Sequence, residues 1–530
     1  MTKTTGTPKF MGSALAGMAA ALLAGGFCWR VAAADMEGAG SPASSPDYLH
    51  WAIPAADAKY GVINGKHIWQ YVAEQAKIAE QYRDNGHPQF WGRLAGTSSD
   101  VADAEWLRSK YRQIGLTTRL QTINYFNPQW SAQTWAVTAT AGGRTVPLAS
   151  AEPSYGSPAT SGKELDLEIV YVGLGSEADF ANRDVRGKAV LFVKGQSSYQ
   201  AGPADILKRA EDLGAAAILS TDLRGGNFNA QSYRAYTNVP TFNIGTKDGD
   251  AIRALIGSAS AGNPPRIKIR LDANWLSNQK SYLVWGTLPG QTDETIYVIA
   301  HRDGFFDAAG DNASGVATML GLAEYFAKIP KSQRRRTMIF IGTDGHHSIR
   351  PGEFGNEWLV ANRERLFAKT ALLINDEHPA VTLFHGGATG DTTGMVPLEW
   401  FAGGSSRPQL ERLTADAFRA FGVPLWTEPS KVPPAGDLGK FYWFLPGVVA
   451  QSNDFIAMHT TDDTPANVPW TGLEAVTRAY AKLIDDVNRI PLKDLQRPAA
   501  ADPNAADTAA NVNMAKCAAW VRDSTQACAP

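Results

Sequence analysis

Six of the nine histidines in this 530-residue chain lie between positions 301 and 459, and several follow short aliphatic runs. His301 closes Ile296-Tyr297-Val298-Ile299-Ala300, and Asp344, His346 and His347 follow Thr337-Met338-Ile339-Phe340-Ile341. Asn375, Asp376 and Glu377 follow Ala371-Leu372-Leu373-Ile374, and His459 comes soon after Val448-Val449-Ala450. Imidazole and carboxylate are donors that zinc favours, and a catalytic zinc takes three protein ligands and keeps one position open. Singly, each residue has a plainer reading. A histidine at a strand end is commonly a hydrogen-bonded surface residue, His346-His347 reads as a solvated loop, and Asp311-Asn312 reads as a helix N-cap. Together they are harder to dismiss, because independent accidents would all have to fall on one edge of one sheet. The chemistry they suit is metal-assisted hydrolysis.

The elements that must position these residues alternate. From Tyr282 onward, aliphatic runs of strand length are separated by helical patterns near 313–327, 356–366, 409–421 and 471–487. Strand-then-helix repetition predicts an α/β fold with a mainly parallel sheet flanked by helices on both faces. Such sheets bind ligands beyond the carboxyl ends of their strands, where the histidines fall. Upstream, helical patterning runs from His67 to Tyr82. A second helix is predicted with Ser98 or Ser99 as its cap, Leu107, Tyr111 and Ile114 on one face, and Gly115 as its stop. Residues 127–278 differ in character: short strand-like runs at 167–172, 189–193 and 215–219 alternate with Gly-, Ser- and Asn-rich turns around one helix at 204–213. This stretch reads as a β-rich domain inserted into the α/β domain. The expected organisation is a signal at 1–34, the first part of the catalytic domain at 35–126, the insert at 127–278, the main catalytic part at 279–490 and a tail at 491–530.

The motifs carry a family resemblance. His301-Arg302-Asp303, Gly310-Asp311-Asn312-Ala313-Ser314-Gly315 and His459-Thr460-Thr461-Asp462-Asp463-Thr464 resemble the signature segments of the co-catalytic zinc peptidases, which include bacterial aminopeptidases and glutamate carboxypeptidase. Ala435-Gly436-Asp437 through Phe441 is similar to another of their segments, and Arg93-Leu94-Ala95-Gly96-Thr97 to the family's start. Val185-Arg186-Gly187-Lys188-Ala189-Val190 and the Gly214-Ala215-Ala216 turn make the insert resemble a protease-associated domain. The resemblance covers roughly residues 60–490. It implies two zinc ions bridged by Asp311, with His301 on one ion, His459 on the other, and Asp303 orienting His301. Glu377 is the literal counterpart of the family's next carboxylate ligand, with Asp376 as the neighbouring candidate. Where the family has Asp-Gly-Glu-Glu this chain has Asp344-Gly345-His346-His347, with Gly352 at the family's following glycine. That places His347 as a ligand and His346 in the position of the general base, a role imidazole performs near neutral pH. Glu353 is an alternative base. The implied activity is hydrolysis of peptides or N-acyl amino acids, aminopeptidase- or carboxypeptidase-like. The alternatives are a non-catalytic binding protein on the same fold, as the family's transferrin receptor shows, and a single-metal site for acyl transfer.

Composition narrows the setting. A formal net charge of −2, with no long basic run, gives no electrostatic case for nucleic acid. Lys3 and Lys9, the apolar stretch Phe10–Phe27 and Ala32-Ala33-Ala34 read as a cleavable export signal, with an uncleaved anchor as the alternative. The expected location is therefore periplasmic or secreted, with no membrane association once the signal is removed. Cys517 and Cys528 would then remain as a pair, suited to a local disulfide in the tail.

Overall fold

Seven strands form the sheet that carries the polar strand ends, in the order Leu398–Ala402, Gly447–Ser452, Thr370–Asp376, Thr295–His301, Thr337–Thr343, Lys280–Leu288, Thr117–Asn124. The second to fifth of these pair in parallel, and the strands at both margins pair antiparallel. Those four parallel strands are the ones followed by His459, Glu377, His301 and His346-His347, so their carboxyl ends lie side by side along one edge. The computed structural model describes residues 52–496 apart from 126–127, 195–201, 222–225, 234, 261, 348–354, 386–388, 392–397, 403–406, 424–435 and 453–456. The expected signal, the tail cysteines, Gly352, Glu353 and Ala435 fall outside the described residues. Among the described residues no helix is long and apolar enough to cross a membrane.

Both faces of this sheet are covered, which explains the unbroken aliphatic runs. Along Thr295–His301, Ile296, Val298 and Ala300 pack into a core with residues from the helices Gly65–Asp84, Ser314–Ala327 and Trp470–Val487. Tyr297 and Ile299 turn to the other face, against Trp358, Leu359, Phe441 and Val449. The early helix Ser98–Ile114 is capped by Thr97, whose side chain accepts the Asp100 N–H, and not by Ser98 or Ser99 as expected. Ser99 is occupied elsewhere, because its hydroxyl donates to the Gly92 carbonyl at 2.7 Å. Gly115 ends the helix with a left-handed φ of 94°, a conformation glycine adopts without steric cost.

Between Gln129 and Leu276 the chain builds a second, eight-stranded sheet. Its order is Arg144–Pro147, Gln129–Ala141, Arg266–Leu276, Leu165–Tyr171, Ala189–Val193, Ala217–Thr221, Thr241–Ile244, Glu152–Pro153. Antiparallel pairing at one end gives way to parallel pairing from Leu165–Tyr171 to Thr241–Ile244. The helices Ala204–Asp212 and Thr246–Gly257 accompany the parallel part.

Candidate metal centre

His301 is the last residue of its strand and is fully buried. Its neighbour Arg302 points the other way, into Asp100, Asp103 and Ser281. The loop that follows is organised by buried Arg93, which donates to the carbonyls of Arg302, Asp307 and Ala308. Asp311 is held at the next turn by Asp463, whose carboxylate accepts the Gly310 N–H at 2.6 Å and the Asp311 N–H at 3.1 Å. Asn312 then staples this turn to the neighbouring strand, donating to the Asp376 carbonyl at 2.8 Å and accepting from His378 N. The glycine of the motif has a physical reason. A Cβ on Gly315 would stand 2.3 Å from both the Asp376 carbonyl oxygen and Asn312 Oδ1.

The side chains brought together fall into two groups that share Asp311. His301 Nε2 lies 3.1 Å from Asp311 Oδ1 and 3.3 Å from Glu377 Oε1. His347 Nε2 and His459 Nε2 lie 3.4 and 3.1 Å from Asp311 Oδ2, and 2.9 Å from each other. Donors about 2.0–2.1 Å from one ion, at 90–110° to each other, stand about 2.9–3.4 Å apart. All five separations match that spacing. Although His301 Nε2 and Asp311 Oδ1 are close, they are not aligned for a hydrogen bond, and neither has a hydrogen-bond partner. Orphaned buried atoms aimed at a common point fit a metal ion better than they fit each other.

The electrostatics favour a cation as well. Burial opposes ionisation of Asp311, yet His347, His301 and His459 hold its carboxyl well below the ordinary range. Burial likewise opposes charge on His347, but Asp311 and Asp303 push it up to about 9. Its neighbour His459 is driven down to about 4 by burial, with His347 adding to the effect. The two imidazoles are thus driven apart, one toward and one away from the charged form.

Glu377 and Asp376, open alternatives in the sequence, are separated by strand parity. Asp376 faces the helical side with Leu372 and Ile374, near Tyr111 and Tyr480. Both its carboxylate oxygens lack a hydrogen-bond partner, and burial raises its pKa well above the ordinary value. Asp376 is therefore not a ligand candidate. Glu377 turns toward His301, and Asn375 Nδ2 holds its other oxygen at 3.0 Å.

Asp303 stands behind two of these histidines. The His301 Nδ1 sits 3.1 Å from the Asp303 backbone carbonyl and 3.6 Å from its carboxylate. The carboxylate chiefly holds the next loop, accepting the N–H groups of His346 at 3.1 Å and His347 at 2.8 Å and facing His347 Nδ1 at 3.3 Å.

His346 stacks on His301, with ring centroids 4.1 Å apart and planes inclined by 10°. Donor atoms of His346, His301 and Glu377 lie within 4.8 Å of one another, but the stacking sets the His346 ring plane apart from that of His301. The His346 Nε2–Glu377 separation of 3.8 Å also exceeds the spacing of co-ligands. Its Nδ1 is 3.0 Å from Asp437 Oδ1, and although burial opposes it, His346 holds the Asp437 carboxyl down to about 2. Asp344 is tied to Tyr125 and Gly355 N, away from the donor groups. The roles of Asp437 and Asp463 were not read from sequence, although both lie within the motifs: a carboxylate that accepts backbone N–H groups leaves no spacing signature. Tyr233, from the second sheet, also reaches the centre, with its ring edge-on to His459 at 4.9 Å and close to parallel with His347 at 6.1 Å.

Comparison with known proteins bears on the family and the fold. Residues 284–379 match Peptidase family M28, a span containing His301, Asp311, His346, His347 and Glu377. Aminopeptidase YwaD of Bacillus subtilis (strain 168) is 26% identical over 261 residues, covering 47% of this chain and 50% of that protein, so the match spans about half the length of that relative. Among solved structures, BSAP, a zinc aminopeptidase from Bacillus subtilis, superposes with a TM-score of 0.58 at 18% identity, covering 82% of this chain and 98% of that one. A peptidase M28 precursor from Shewanella amazonensis SB2B gives 0.59 at 17% identity, covering 84% and 99%. These likenesses establish the fold.

Proposed function

We propose that this chain, which carries a domain of Peptidase family M28, is an exported zinc-dependent hydrolase of peptide or amide bonds, aminopeptidase-like in its action. One observation carries the reading: the two oxygens of Asp311 face different sets of donors, His301 with Glu377 on one side and His347 with His459 on the other. Three imidazoles and two carboxylates suit zinc, and a shared carboxylate suits a pair of ions. Bound zinc would polarise the scissile carbonyl and lower the pKa of the attacking water.

The chain's own residues supply the rest. Asp437 accepts the Nδ1 proton of His346, which leaves Nε2 as the ring's proton acceptor. His346 takes the water's proton there and delivers it to the leaving amine. Asp303 fixes the turn that presents His346 and His347 together. The second sheet corresponds in this reading to a protease-associated domain, and Lys3, Lys9 and Ala32–Ala34 direct export with a mature N-terminus near Asp35. The test is metal content of the purified protein together with release of amino acids from a panel of peptides and N-acyl amino acids. Bound zinc with amide hydrolysis supports the reading. Bound zinc with no hydrolysis, by wild type or by His346→Glu, would replace it with a binding protein on this fold.

A further inference from the structure

The connection between the strands Ala217–Thr221 and Thr241–Ile244 of the second sheet lies against the loop that carries His459. Gln231 N–H donates to the His459 carbonyl at 2.9 Å, and Thr461 N–H to the Asn229 carbonyl at 3.1 Å, with an antiparallel bridge between Ala230 and Thr460. His459 itself has a left-handed φ of 60°, uncommon for a residue with a side chain, and this pairing grips it on the carbonyl side. On its far side the connection is held by its own sheet. Asn229 Nδ2 donates to Glu152 at 3.1 Å, Gln231 Nε2 to the Pro153 carbonyl at 3.0 Å, and Ala235 N–H to the Tyr155 carbonyl at 3.2 Å. Tyr233 stands between the anchored positions 231 and 235. Its ring covers the two imidazoles of one donor group. Its hydroxyl lies in the field of Asp311, Glu377, Asp303 and Asp437.

We infer that Tyr233 is a catalytic residue lent to the metal centre by the second sheet, its hydroxyl donating a hydrogen bond to the substrate's carbonyl oxygen as negative charge develops there. The inference rests on the hydrolase reading above. The chemistry around the centre supports it: the imidazoles and carboxylates described there are ligands, acceptors or the base, and the phenol adds an O–H donor with fixed placement. A donor held before reaction needs no reorganisation when charge appears, which is the condition for a large effect. The phenol keeps its proton throughout. The water's oxygen bonds to the carbonyl carbon, its proton passes to His346 and then to the departing nitrogen, and the carbon–nitrogen bond breaks.

The test compares wild type with Tyr233→Phe in three measurements: metal content, peptide hydrolysis, and calorimetric affinity for a phosphinic peptide that mimics the tetrahedral geometry. The expected result is unchanged metal content and KM, kcat lower by about 10²–10³-fold, and phosphinate binding weakened in step. Unchanged kcat and phosphinate affinity would overturn the inference. Loss of metal would also overturn it, by showing that the ring only props His347 and His459. If wild type binds the phosphinate but turns over no peptide, the hydrolase reading fails, while the phosphinate affinity of Tyr233→Phe still decides whether the hydroxyl meets a tetrahedral oxygen.

Discussion

The two sheets contain the same local architecture, four adjacent parallel strands with helices against them, yet among the described residues only one of them gathers donors. In the seven-stranded sheet the polar residues beyond the parallel strands keep the separations of co-ligands, and Asp311 is shared between two sets. At the corresponding ends of the second sheet, among the described residues, buried polar side chains hydrogen-bond directly to one another. Lys194 Nζ donates to Asn243 Oδ1 at 2.8 Å, and Ser220 Oγ donates to the same oxygen at 3.2 Å. A parallel sheet edge is a permissive place for a ligand, and the residue chemistry decides whether one is held there. An ammonium group and an amide oxygen meet in a direct hydrogen bond. His301 Nε2 and Asp311 Oδ1, at ligand spacing, do not.

The largest test of this contrast is removal of ligands. His301→Ala, Asp311→Ala and His459→Ala should each lower zinc affinity by more than the roughly 10–100-fold typical of residues behind the ligands, and turnover should fall with it. Metal analysis after dialysis against micromolar zinc reads this directly, and full occupancy in His301→Ala would break the assignment. Next, His346→Ala should lower turnover by about 10²–10⁴-fold while metal content stays near wild type, whereas His347→Ala should lose metal as well. If His346→Ala instead loses its zinc, His346 is a ligand and the base lies elsewhere. Asp303→Ala should fall in the 10–100-fold range for metal affinity, since it acts through the His346–His347 turn.

At the other sheet, Lys194→Met should leave zinc content and turnover within about twofold, and cost roughly 1–3 kcal/mol in denaturant unfolding by removing one of the two donors to the Asn243 oxygen. Loss of turnover there would mean that the second edge is functional too. The smallest effect lies away from both edges, at His67. Its hydrogen bond to Glu324 raises its pKa above 6.5, against the opposing effect of burial. That bond contributes stability below pH 6.5, and the contribution is lost as pH rises through the folded-state value. The side chain is 53% exposed, so the effect is screened and stays within a few tenths of a kcal/mol. His67→Gln should therefore be slightly destabilised at pH 5.5 and indistinguishable from wild type at pH 9 by thermal unfolding.

Much of the centre was legible because strand ends are local features: an aliphatic run followed by His or an acid announces both the strand and what it presents. The helices at 65–84, 98–114, 314–327 and 470–487 were legible for a similar reason, since 3.6-residue periodicity records which face is buried. The Asp311 turn needed its motif as well, because an aspartate before a helix is ambiguous until its partners are known. Thr97 displaced Ser98 and Ser99 as a cap only because Ser99 had a tertiary partner.

The amino-acid order by itself determined the alternation of strands and helices, the placement of His301, His347, Glu377 and His459 at strand ends, and the unusual His346-His347 pair. Tertiary structure decided what depends on distance and direction. The parity of Thr370–Asp376 turned Asp376 into the apolar side and left Glu377 with His301. The stacking of His346 on His301 set its ring plane apart from that of His301. Tyr233, more than 60 residues from His301 in sequence, was brought to His459 by an isolated bridge between two connecting segments. The physical reason is common to all three. Periodicity and residue type are carried along the chain, whereas a hydrogen bond or a coordination sphere is a condition on atoms that only folding brings together.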